Sequence, residues 1–171
     1  MWTGARFMEQ SMTYGRTEQE RREAAGTSTM QDGAAYEMTS GEVANAREFV
    51  RDFLARAQTL YGESMSQRAV DVAQLVVSEL ATNVCKYAPG PCLLDLETDG
   101  TALGITMWDS GSVLPSASPA DPTRVGRHGL ELVLMVCQSF EIRREPVGKR
   151  VRVRLSLQDS PSGDPAGQTT W

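Results

Sequence analysis

Glu79, Asn83 and Lys86 stand four and then three residues apart within LVVSELATNVCKYA, residues 75–88. On a helix that spacing stacks the three side chains along one edge. The edge offers a base, an amide and a cation, so it could take up a proton, supply an amide oxygen and hold anionic charge. A solvated helix border with a weak Glu79 to Lys86 ion pair has the same composition, and the trio gains weight only from its company. Further along, Asp109 and Gly111 form an aspartate-glycine turn after an apolar segment, and Gly126 and Gly129 then open another apolar segment.

The elements that must position these residues follow from periodicity. Ala73, Val76, Val77, Leu80, Ala81, Val84 and Ala88 recur at helical spacing and form the core stripe of the helix that carries the trio. Ser64 or Ser66 caps its start, and Pro89, Gly90 and Pro91 end it. An earlier amphipathic helix runs from Ser40, expected as its cap, to Gly62, with Val43, Ala46, Phe49, Val50, Phe53, Leu54, Ala57 and Leu60 apolar. Residues 92–108 read as a hairpin turning at Asp99 and Gly100, which delivers Asp109 to the end of a strand. Residues 109–128 are too long for a simple connection of about four to six residues. A third helix begins at Gly129, with Leu130, Val133, Leu134 and Cys137 on its apolar face. Two closing strands follow, Val151, Val153 and Leu155 alternating in the second with Arg150, Arg152 and Arg154. Helices before one hairpin, then a helix and a second hairpin, predict an α+β fold: a two-layer α/β sandwich with helices on one face of a mixed, largely antiparallel sheet. The domain is expected over residues 38–157, with a mobile tail at 1–37 and a disordered one at 158–171.

With 171 residues, 40% apolar and 23% charged, the chain fits one soluble domain, and no run is long and apolar enough to span a membrane. Neither a secretory signal nor an anchor is suggested at the amino terminus, so a cytoplasmic location is expected. Cys85, Cys92 and Cys137 are odd in number and lack CxxC spacing, which suits reduced, buried thiols. A net charge of −5 argues against nonspecific nucleic-acid binding. The run Arg143, Arg144, Lys149, Arg150, Arg152 and Arg154 is a local exception, read either as a nucleic-acid surface or as a solvated sheet face.

Glu79-x-x-x-Asn83, then WDSGS at residues 108–112, then GRHGL at 126–130, resemble the GHKL nucleotide-binding family in order and spacing. Within it, residues 36–157 are most similar to the stand-alone anti-sigma-factor serine kinases of bacteria. The resemblance implies a Bergerat-type ATP-binding fold with ATP and Mg²⁺ as cofactors. It implies that Asn83 gives its amide oxygen to Mg²⁺, that Glu79 is the general base toward a serine hydroxyl, and that Lys86 steadies phosphate charge. It implies that Asp109 accepts a hydrogen bond from the adenine amino group, with Gly111 letting the backbone approach the base. Gly126, Arg127, Gly129 and Leu130 would form the phosphate-binding start of the third helix, where free amides and the helix dipole favour anions. His128, the sole histidine, suits packing or hydrogen bonding there better than phosphoacceptance, since the dipole disfavours its charged form. Met107 and Trp108 read as core before they read as adenine contacts.

The implied partners are a STAS-type anti-anti-sigma protein and a sigma factor, and related kinases are commonly dimers, so a homodimer is one expectation. The sequence departs from the family pattern at Ser112, at Arg127, and in the last strand, where the threonine often found in the family has no clear equivalent. The alternative is therefore a catalytically silent partner-binding module of the same fold.

Overall fold

The computed structural model describes residues 28–62, 65–111 and 128–158. Among them the elements follow as β1 (Met30–Met38), α1 (Glu42–Tyr61), α2 (Gln67–Tyr87), β2 (Gly90–Thr98), β3 (Ala102–Asp109), α3 (His128–Val136), β4 (Ser139–Arg144) and β5 (Lys149–Ser156). The strands make one sheet in the order β1-β2-β3-β5-β4. All four pairings are antiparallel, so the sheet expected to be mixed has no parallel pair among the described residues. Helices α1 and α2 lie on one face, giving a two-layer α/β sandwich.

The core is where periodicity put it. The predicted stripe of α2, from Ala73 to Ala88, is buried throughout, and so are Ala46, Val50, Phe53, Leu54 and Ala57 of α1. They meet the inner row of the sheet: Leu94 and Leu96 of β2, Leu103, Ile105 and Met107 of β3, and Val151, Val153 and Leu155 of β5. Ser66 caps α2, its hydroxyl accepting from Ala69 N at 3.1 Å. Gly62 ends α1 in the left-handed conformation at φ 65°, its amide donating to Gln58 O. Ser40 does not cap α1. Gly41 holds that position without a side-chain bond, and the Glu42 amide is satisfied instead by the carbonyl of Thr39 at 3.0 Å as the chain turns tightly out of β1.

Two other expectations are corrected. Residues 30–37 are not tail but most of edge strand β1, paired with β2 along its whole length and closed by the fully buried Met38. Gln31, Gly33, Ala35 and Glu37 point to its exposed side. Glycine and alanine are weak strand formers, so β1 owes its state to pairing and to cover by α1 rather than to propensity. The remaining parts of the expected tails, 1–27 and 159–171, lie outside the described residues. Helix α3 is also shorter than its apolar run. It stops at Val136, Phe140 belongs to β4, and of the expected apolar face only Val133 is fully buried while Leu134 is exposed.

The β2–β3 turn is tied by side chains. Asp99 Oδ1 accepts from the amides of Thr101 and Ala102, each at 2.9 Å, and from Thr101 Oγ1 at 2.7 Å. Gly100, at φ 90°, packs against the Tyr61 ring, where a methyl group would come within 2.9 Å of Cγ. The bond from the Ala102 amide, followed by those from Thr101, holds the Asp99 carboxyl down at about 2. A group with a depressed folded pKa stabilises the fold above its ordinary value of 3.8 and loses that contribution as the pH falls toward 2. Asp99→Ala should therefore lower the free energy of unfolding in urea by on the order of 1–2 kcal/mol at pH 7. The deficit should shrink as the pH is lowered through that window. A pH-independent deficit would assign the effect to packing.

Candidate functional site

The inner row of the sheet changes character at one end. Along β3 the residues facing the helices are Leu103, Ile105, Met107 and then Asp109; along β5 they are Leu155, Val153, Val151 and then Lys149. Asp109 and Lys149 are register partners, so the two charges stand side by side where an apolar pair would continue the pattern. Lys149 Nζ lies 3.0 Å from Asp109 Oδ2 and 3.2 Å from Oδ1, and the Gly111 amide donates to Oδ1 at 2.8 Å. The side chains are 8% and 1% exposed. Cys92 of β2 is the other register neighbour of Asp109, and burial first, with the Asp109 charge second, pushes its thiol up to about 11. Cys85, Cys92 and Cys137 are all unpaired thiols, and of the three only Cys92 is buried, the other two being half-buried.

Glycines close over the pair. A methyl group on Gly111 would stand 2.5 Å from Ala88 Cβ at the end of α2 and 3.5 Å from Lys149 Nζ. Gly148, at φ 79°, lies directly on the backbone of Asp109, where a methyl group would come within 1.7 Å of the carbonyl oxygen. Gly111 thus holds the loop against the helix end and the ion pair, a tighter role than the expected approach to a base.

The expected trio lies along α2, with Glu79 and Asn83 half-buried and Lys86 exposed. Among the described residues no hydrogen bond or ion pair ties down Glu79 or Asn83. Glu79 reaches α3, its Oε2 so close to Gly129 that a methyl group there would be 1.7 Å away. Glycine allows this approach, and it sets a carboxylate at the positive end of a helix. Leu130 is half-buried one residue further on. Gly126 and Arg127 lie outside the described residues. From Glu79 to Ala88 the helix rises by about 13 Å. Glu79 with Gly129 therefore marks one end of a helix edge, Asp109 with Gly111 marks the other, and Asn83 lies between them.

Trp108 is excluded from this site by parity, since it faces the helix-free side of the sheet under the Arg150 guanidinium, 5.0 Å from its ring centroid. Met107 is core, at 1% exposure. Five of the six members of the basic run are met by acids: Arg143 by Glu141, Lys149 by Asp109, Arg150 by Glu145, Arg152 by Glu97 and Arg154 by Asp99, while Arg144 is exposed. Lys149 was legible only as a member of that run. Its sequence signal is parity: counting back by twos from Leu155 through Val153 and Val151 lands on Lys149, an inward position.

Residues 37–155 match the family described as "Histidine kinase-like ATPase domain". Among solved structures the chain is similar to the histidine kinase domain of the blue-light activated histidine kinase from Erythrobacter litoralis EL346. The identity is 16% and the TM-score 0.42, over 66% of this chain and 61% of that one. The chain thus spans less than two thirds of that relative. No curated protein matches it.

The contact of Gly148 with the Asp109 backbone gives a stringent test. Gly148→Ala must move backbone rather than a flexible side chain, and it also strains a left-handed residue. It should cost at least about 2 kcal/mol in urea unfolding. A change within about 0.5 kcal/mol would mean that the two segments are not in contact.

Proposed function

The chain belongs to the histidine kinase-like ATPase domain family, and from that premise we propose that it is an ATP-binding regulatory protein that phosphorylates a serine of a partner protein. The observation that carries this reading is the edge of α2, where Glu79 and Asn83 lie half-buried between the Gly129 helix start and Asp109. Asn83 offers a neutral oxygen, the donor that a hard cation such as Mg²⁺ takes. Magnesium bound with the nucleotide supplies neutralisation of phosphate charge. Glu79 receives the proton of the attacking hydroxyl, and its place against Gly129 holds it where the first turn of α3 presents free amides. Lys86, exposed in the last turn of α2, adds positive charge without being buried. The resemblance to anti-sigma-factor kinases makes a STAS-type anti-anti-sigma protein the proposed substrate and a sigma factor the proposed sequestered partner.

A second reading is favoured by one observation, the ion pair that Asp109 makes with Lys149. A carboxylate already neutralised is a poorer acceptor for a base, and the chain would then act as a partner-binding module with weak nucleotide affinity or none.

Calorimetric titration with ATP and Mg²⁺, followed by phosphotransfer assays with a STAS-domain protein, separates the two. In the kinase reading Asn83→Ala removes the magnesium dependence of binding. Glu79→Gln retains nucleotide and partner binding while phosphotransfer falls by about 10²-fold or more, the usual contribution of a general base. Absence of ATP binding by the wild type at millimolar nucleotide would leave the module.

A further inference from the structure

We propose that Lys149 determines the base selectivity of the site: by engaging Asp109 it takes the place of a base's amino group, so nucleotides are held mainly by their phosphates and adenine is scarcely distinguished from guanine. The proposal rests on the nucleotide-binding reading above and concerns the end of the site remote from Glu79.

The argument begins with acceptor capacity. A carboxylate has about four lone-pair positions. On Asp109 the Gly111 amide takes one at 2.8 Å, and the Lys149 ammonium contacts both oxygens, at 3.0 Å and 3.2 Å. One position, on Oδ2, is left for an exocyclic amino group, and the side chain that carries it is only 1% exposed. The incumbent is also the stronger donor, since a hydrogen bond between two ionised groups is about twice as strong as one to a neutral donor. Displacing it would strand a buried ammonium between the apolar Val151 on its own strand and its register partner on β4, the cationic Arg144. Nor can the pair relax readily. Gly148 packs on the Asp109 carbonyl, and Gly111 lies between Ala88 and the pair. Lys149 is fixed by the strand register directly opposite Asp109 rather than reaching it from a flexible loop.

The experiment compares full-length wild type, Lys149→Met and Asp109→Asn by calorimetric titration with ATP and Mg²⁺ and with GTP and Mg²⁺. Lys149→Met keeps the length of the side chain and removes the charge, returning the acceptor to the base. Asp109→Asn keeps the shape and an oxygen for Lys149, and the ATP-to-GTP ratio of the wild type tests the proposal by itself should either variant be unstable. The wild type should bind the two nucleotides within about threefold of each other, and in Asp109→Asn the ratio of the two affinities should stay within about that factor, whatever their absolute values. Lys149→Met should bind ATP about tenfold more tightly than the wild type, with GTP unchanged. A wild type that prefers ATP by more than about tenfold and loses that preference in Asp109→Asn would overturn the proposal while leaving nucleotide binding in place. No binding of either nucleotide to any of the three proteins would sink both.

Discussion

An acid and an amine are buried side by side at the end of an otherwise apolar row, and the arrangement of the site depends on their satisfying one another. Removing one member of such a pair costs about 3–5 kcal/mol, because the survivor is left charged and unpaired in the interior. The contact is available only if β3 and β5 are neighbours in the observed register, with Asp109 opposite Lys149. The same register sets Met107 beside Val151 and Ile105 beside Val153, so the choice of strand partner is enforced by packing along the row and by charge at its end. The glycines at 111 and 148 follow from this placement, since the chain on either side must close over the pair.

Helices were legible where burial imposed a period. The α2 stripe could be read residue by residue because each of its apolar positions faces the same layer, and Ser66 carries a cap that depends only on local chemistry. Strand β1 was not legible, because its pattern is weak without a partner: Asp32 sits in its inward series, and Gly33 and Ala35 on the other side carry little strand preference. Non-local pairing with β2 supplies what the local sequence lacks. The end of α3 was missed for the opposite reason. An uninterrupted apolar run from Leu132 to Cys137 has no breaker, and the chain leaves the helix only because Phe140 and Ile142 are taken up as strand residues against β5.

The candidate site divides in the same way. Glu79 and Asn83 could be found from spacing alone, since four residues make one turn of a helix. Their relation to Gly129 could not, because it joins α2 to a helix that begins some fifty residues later. Lys149 was visible as charge but not as an inward charge, and it was grouped with Arg143, Arg150, Arg152 and Arg154, which in fact lie on the opposite face. Arg150 answers Glu145 in the β4–β5 turn, Arg152 reaches across β3 to Glu97 of β2, and Arg154 answers Asp99 in the β2–β3 turn, so the helix-free side of the sheet is a mixed-charge surface rather than a basic one. Such a surface gives a two-layer fold a solvated outer face without exposing an apolar sheet to edge or face association.

The position of β5 in the sheet has a consequence for how the protein is made. The strand that completes the interior of the sheet, between β3 and β4, is the last of the described strands to leave the ribosome. A nascent chain that ends before Lys149 already carries α1, α2 and the three-stranded half of the sheet, yet its Asp109 has no counter-charge and β3 is an open edge. Such an intermediate is poised to pair with the wrong strand or to recruit a chaperone. The charged end of the inner row is thus completed only at the moment the final hairpin docks.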